Sequence, residues 1–158
     1  MKTKVRWTAM AAALLLMCSG VAAVNAGGKW LITPEEAAKV RPKTEKFLEP
    51  VAAVEGPGPE IIVRNPKLLE RVRSPLNIFI AFKPGKSGKP PDMQTMTVTS
   101  LGLFNIDITS RVVEYIKGYD LDAQQIELPT GEHHLLMAIK DIVGNPNERD
   151  VVVIVVEN

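Results

Sequence analysis

His133 and His134 are the only histidines of the 158-residue chain, and they are adjacent. Neighbouring side chains of a strand point to opposite faces, so the two rings do not converge on one metal ion. Zinc would need further nitrogen or thiolate ligands, and the single cysteine, Cys18, lies in an N-terminal apolar run. The pair therefore reads as ordinary polar strand residues. Hard oxygens are more plentiful. Asp107, Asp120, Asp122, Asp141, Asn145 and Asn147 carry the oxygen ligands that calcium prefers, which makes calcium the one ion with candidate ligands. The EF-hand spacing is absent, however, and Asp and Asn are also frequent in turns, where they hydrogen-bond to nearby backbone. Asp120 and Asp122 have the types needed for an acid and a base, but spacing of this kind is common in solvated loops. No Gly-x-Ser-x-Gly elbow marks a nucleophile. The expectation is a protein that is not an enzyme.

Lys83, Lys86 and Lys89 lie among prolines and glycines. Gly85-Lys86-Ser87 has part of a phosphate-binding loop, yet the upstream glycine is missing and Pro90-Pro91 bars the helix that should follow. This stretch reads as a solvated hairpin loop, with a weak site for an acidic partner as the alternative.

Charge and N-terminal pattern bound the remaining possibilities. Lys2, Lys4 and Arg6 precede an apolar run from Met10 to Met17, and Val24-Asn25-Ala26 offers a small-residue cleavage site. That order is the pattern of a secretory signal peptide over 1–26, so the protein is expected in the periplasm or outside the cell. Met17 before Cys18 departs from a lipoprotein signal, which needs a small residue there. The mature chain is left slightly acidic, against the basic surplus that a nucleic-acid binder uses for phosphate contacts. No later apolar stretch approaches the ~20 residues of a membrane span.

The elements that must position these residues fall into two regions. Residues 27–58 form an N-terminal arm. Thr33-Pro34-Glu35-Glu36 is a helix start, with threonine as cap, proline at the first helical position and Glu36 closing a capping box. A short helix near 34–40 follows and stops at Pro42. Gly56-Pro57-Gly58-Pro59 reads as a linker or turn. From residue 59 onward, β-rich runs alternate with turns. Ile61-Ile62-Val63 opens the series. Over 76–82, Leu76, Ile78, Ile80 and Phe82 share one face, and Met96 and Val98 alternate with threonines over 95–99. Further strands are expected at 112–116, 125–128, 133–140 and 151–156, while Leu68, Leu69 and Val72 suggest a helical turn over 66–73. The prediction is an all-β, antiparallel sandwich of about seven strands, preceded by the arm with its short helix.

The last strand has no polar alternate, so both of its faces should be dry. Val151, Val153 and Val155, with Trp30, are the expected packing or partner surface. Either the arm, through Trp30, Leu31, Ile32 and Phe47, covers the outer face, or a partner protein or second copy does.

Leu128-Pro129-Thr130-Gly131-Glu132, followed by Ala138-Ile139-Lys140-Asp141 and Gly144-Asn145, resembles a bacterial immunoglobulin-like domain, in which an Asp-x-x-Gly-Asn turn leads to the last strand. Pro59-Glu60-Ile61-Ile62-Val63 and Ser74-Pro75-Leu76 resemble its first two strands, so the resemblance covers 59–158. The chain lacks the Cys–Trp–Cys core, which implies the disulfide-free branch. Residues 30–38 also resemble a leader segment of uncharacterised exported proteins from Gram-negative bacteria. The resemblance implies a sandwich and a compartment, with no activity. The function expected is a non-catalytic exported module that binds a protein partner through a sheet edge or loops. The alternative is a glycan-binding module, with Tyr115, Tyr119 and Trp30 as the rings that could stack on sugar and calcium as a possible structural ion.

Overall fold

The computed structural model describes residues 29–40 and 56–157. The expected signal peptide and Phe47 lie outside the described residues. Strand alternation builds two facing sheets. In chain order the strands are β1 (Glu60–Asn65), β2 (Arg71–Arg73), β3 (Leu76–Lys83), β4 (Pro91–Leu101) and β5 (Ile106–Asp107), then β6 (Ile116–Lys117), β7 (Asp120–Ile126), β8 (Gly131–Asp141) and β9 (Pro146–Val156). Helix α1 (Pro34–Val40) precedes them, and α2 (Thr109–Val112) with a 3₁₀ turn (Val113–Tyr115) sits between β5 and β6. One sheet has the order β1-β3-β7-β6 and the other β2-β9-β8-β4-β5. This is the immunoglobulin-type arrangement, ABED facing GFC, with a short strand added at each edge of the second sheet. Every pairing is antiparallel except β2 with β9, which run parallel.

The inward faces follow the predicted period of two. Leu76, Ile78, Ile80 and Phe82 of β3 meet Met96 and Val98 of β4, Leu135, Met137 and Ile139 of β8, and Val151, Val153 and Val155 of β9 in one buried cluster. At about 25 cal/mol per Å² of apolar area, this cluster supplies most of the drive to fold. Three expected elements differ, and the first is the strand expected at 125–128, which is only the end of β7 running from Asp120 to Ile126. Residues 112–116 are helical over most of their length, because Asp107 Oδ1 accepts the Thr109 N–H at 2.8 Å and turns the chain into α2. Residues 66–73 form a turn closed by Glu70 N–H to Lys67 O at 2.9 Å, followed by β2.

The arm is part of the sandwich where it is described. Thr33 and Glu36 form the predicted capping box: Glu36 N–H donates to Thr33 Oγ1 at 3.2 Å and Thr33 N–H to Glu36 Oε2 at 2.9 Å. Leu31, Ile32 and Ala37 join the core cluster. Trp30 makes a parallel bridge with Glu127, just past β7. Arg111 of α2 holds Glu36 through two bonds of 2.6 and 2.7 Å, and donates to Leu31 O at 2.7 Å. The arm thus docks on the end of β7 and on α2, where it finds backbone and charge partners, and these bonds do not lie on the outer face of β9.

Gly56-Pro57-Gly58-Pro59 is not a loose linker. Gly58 N–H donates to Pro146 O at 3.2 Å and Ser87 N–H to Pro57 O at 2.9 Å, while Asn147 bonds both Gly56 N–H and Pro59 O. The backbones approach so closely that a Cβ on Gly85 would lie 1.8 Å from Gly58 O, and one on Gly58 would lie 2.3 Å from Asn145 O. Gly85→Ala is therefore expected to destabilise the domain by about 2 kcal/mol, the cost of forcing backbone apart in a packed region. Thermal melting followed by far-UV circular dichroism measures it.

Candidate functional site: the open edge of β9

β9 has two edges with different fates. Along one, β8 pairs with it from Gly131–Val155 to Lys140–Pro146. Along the other, β2 reaches only Ile154 to Val156, and Gly58 meets only Pro146. Between these contacts, residues 148–153 have no strand paired on the edge away from β8 among the described residues. The chain leaves this gap because β1 belongs to the opposite sheet and crosses to β2 only after the 66–70 turn.

A groove of about 800 Å³ runs along the gap. Leu68, Leu69 and Val152 give it apolar lining, and Glu60, Lys86 and Glu148 line it as well. Leu68 and Leu69 are 67% and 62% exposed, and Leu69 has φ 61°, in the left-handed region that a leucine seldom occupies. The turn thus holds two large apolar side chains out beside an open strand edge, at a cost of order 1–3 kcal/mol for the backbone strain.

Asp150 also lines the groove. Its side chain and that of His134 on β8 are each only 4% exposed, and Oδ2 lies 2.7 Å from His134 Nδ1. His134 Nε2 lies 2.9 Å from Glu132 Oε1. Burial is the largest influence on the imidazole and disfavours its charge, but the bonds to Asp150 and Glu132, with their charges, together hold its pKa above the ordinary value. The second oxygen, Asp150 Oδ1, is buried and has no hydrogen-bond partner among the described residues. Both nitrogens of His134 are engaged by carboxylates, so neither is free to accept a proton from a substrate. The arrangement is built to offer a buried acceptor.

The residues singled out from the sequence scatter. Val151, Val153 and Val155 are at most 2% exposed and belong to the core cluster, so the packing surface expected of them is the facing sheet of this same domain. The period of two turns Val152, Ile154 and Val156 outward instead. Trp30 is half-buried at its bridge to Glu127. His133 and His134 do point to opposite faces: His133 Nε2 is 2.7 Å from Pro129 O, while His134 joins the two acids. Of the three aromatic candidates for a sugar site, Trp30 and Tyr115 are half-buried and Tyr119 is 51% exposed.

The calcium candidates are not brought together. Asp107 caps Thr109 at one edge of the five-stranded sheet. Asp120 and Asp122 lie on β7 of the other sheet, where Asp122 pairs with Lys117 at 2.8 Å. Asp141 and Asn145 form the predicted turn. Asp141 Oδ1 accepts Val143 N–H and Asn145 N–H at 3.0 and 2.9 Å, and Oδ2 accepts Ser87 Oγ–H and Asn145 Nδ2–H at 2.6 and 2.8 Å. Four donors already surround this carboxylate, which leaves a cation no approach. Among the described residues, no group of three or more His, Cys, Asp or Glu could hold a metal. Calcium at millimolar concentration, and its removal by chelator, are expected to leave the melting temperature unchanged.

The His134–Asp150 pair was not legible in the sequence, since its partners are 16 residues apart and meet only once the β8–β9 register is known. The signal available was parity alone, which places Glu132 and His134 on one face. No protein-family model, curated protein or solved structure matches the chain.

Proposed function

We propose that the protein is a non-catalytic interaction module, exported through its N-terminal signal, that takes a protein partner as an added strand along the open edge of β9. The observation that carries this reading is the edge of 148–153 away from β8, which has no paired strand among the described residues and lies beside the exposed Leu68 and Leu69. An unpaired edge presents backbone donors and acceptors to any extended segment, and alternate side chains then read the pockets beside it. Among the described residues no helix is long and apolar enough to cross a membrane. The doubly engaged His134 favours binding over proton transfer.

The test is the native mass of the protein released gently from the extracytoplasmic fraction of its own cells. A mass well above the monomer, with one other chain present, is expected. The double variant Leu68→Lys/Leu69→Lys should return it to the monomer with little change in melting temperature, since both side chains are exposed. A monomeric wild type overturns the reading. The exposed ring of Tyr119 favours a second reading, glycan binding at the turn between β6 and β7, which would show as retention on immobilised glycan that Tyr119→Ala abolishes.

A further inference from the structure

We infer that the segment seated on the β9 edge presents a lysine or arginine side chain to Asp150. The inference rests on the strand-addition reading and names the chemistry of the occupant. Asp150 has one oxygen on His134 and the other, Oδ1, buried without a partner among the described residues, and the residue lines the groove. An unsatisfied buried acceptor is costly, and a donor from an occupant would remove that cost.

Geometry places the donor. In a strand added beside β9, the residue directly opposite Asp150 points to the same outer face, with the two Cβ atoms about 5 Å apart. A lysine or arginine at that position reaches the carboxylate laterally. The surroundings favour a cation over a neutral donor. Glu60 and Glu148 line the groove beside Asp150, and of the two basic residues there, Arg149 already donates to Ile61 O at 2.6 Å. Glu132 adds a further acid on the far side of His134. The Glu132–His134–Asp150 chain carries two acids against one imidazole, so a net negative charge remains even when the imidazole is protonated.

The same charges disfavour a second copy in the two registers that set Asp150 opposite an acid. Antiparallel pairing of two β9 edges centred on Arg149 would set Glu148 opposite Asp150 twice over, and centring on Asp150 would oppose the two buried carboxylates. Like charges directly across a strand pair are destabilising.

The test uses the full chain, isotopically labelled, and two nine-residue peptides of alternating threonine and valine, one with arginine at its centre and the other with glutamine. The arginine peptide is expected to shift the amide resonances of residues 148–152 and to bind about tenfold more tightly than the glutamine peptide. Asp150→Asn should remove that tenfold preference while leaving the shifts. Equal affinity of the two peptides for the wild type overturns the inference and leaves strand addition standing, and this comparison needs no variant to fold. No shift at 148–152 with either peptide overturns both. Amides of 148–152 that point away from β8 yet already exchange slowly in the free protein, or a dimer that protects them, show the edge covered from within or by a second copy, and overturn the inference as well.

Discussion

Glu36→Ala is expected to lower the stability of the domain by about 2 kcal/mol and to free α1 from the sandwich. Glu36 serves two structures with one carboxylate. It closes the capping box by accepting Thr33 N–H, and it holds both terminal nitrogens of Arg111. A cap of this kind contributes about 1 kcal/mol, and an exposed ion pair adds at most about that. The pair here is sheltered further, with 24% and 35% of the two side chains exposed. The bonds from Arg111, opposed by burial, bring the carboxyl from 4.5 down to about 2. That shift corresponds to ~3 kcal/mol before screening, and partial exposure reduces it toward 2. Because the folded-state pKa is the lower one, the unfolded chain takes up the proton first. The contribution is complete above pH ~5 and is lost as pH falls toward 2. Urea melts of wild type and variant at pH 6 and pH 3 check both statements: the difference should be large at pH 6 and should shrink at pH 3. Hydrogen exchange should locate the loosening in 35–39, while Leu31 and Ile32, which are 3% and 1% exposed, keep the start of the segment in the core. Equal stability of wild type and variant at pH 6 would contradict the argument.

His134 has the opposite sign. Its pKa is raised, so the stability it contributes is complete below pH ~6.5 and is lost as pH rises through the folded value. Together with Glu36, it places the stability maximum on the mildly acidic side of neutrality.

What the sequence made legible were features written in local order. Thr33 to Glu36 spells the capping box in four consecutive residues, and the structure forms it. The alternation over 76–82 is enough to choose the inward face of β3. Asp141 to Asn145 encodes a turn in which Gly144 has φ 92°, a value that glycine adopts without strain. Features that depend on register or on a distant partner were not legible. Residues 112–116 have strand-forming types, but the bond from Thr109 N–H to Asp107 Oδ1 turns the chain into α2 just before them, and this context overrides propensity. Gly56-Pro57-Gly58-Pro59 has linker composition, and only the close approach of Gly85 and Pro146 shows why glycine is required.

The candidate site depends on such distant partners throughout. The apolar run at 151–156 announces a strand dry on both faces, and its inward valines are indeed buried. The sequence offers no sign that β2 reaches only the last three of these residues, because a parallel pairing of Arg71 with Ile154 has no local signature. The open edge, and with it the unpartnered oxygen of Asp150, follows from where that pairing stops.

Asp141→Asn is expected to be at least as damaging as Asp141→Ala, lowering the melting temperature by roughly 10 °C. All four groups around the carboxylate are donors: the Ser87 hydroxyl, the Asn145 side-chain amide, and the N–H groups of Val143 and Asn145. Asparagine keeps the shape but replaces one acceptor with an NH₂ group that must face donors. Alanine merely leaves them unpaired. Burial is the largest influence on this carboxyl and pushes its pKa up, yet the hydrogen bonds from Ser87, Asn145 and Val143 prevail and bring it to about 2. The clasp joins elements far apart in sequence. Ser87 also donates its N–H to Pro57 O and accepts Lys89 N–H, while Ile142 N–H donates to Pro90 O. Loosening Asp141 therefore loosens the turn into β9 and the Gly85–Lys86 wall of the groove together. Ser87→Ala removes one of the four bonds and should cost about a quarter as much. Melting curves of the three variants decide the matter: Asn and Ala low with Ser87→Ala close to wild type supports the clasp, and an Asn variant as stable as wild type rules it out.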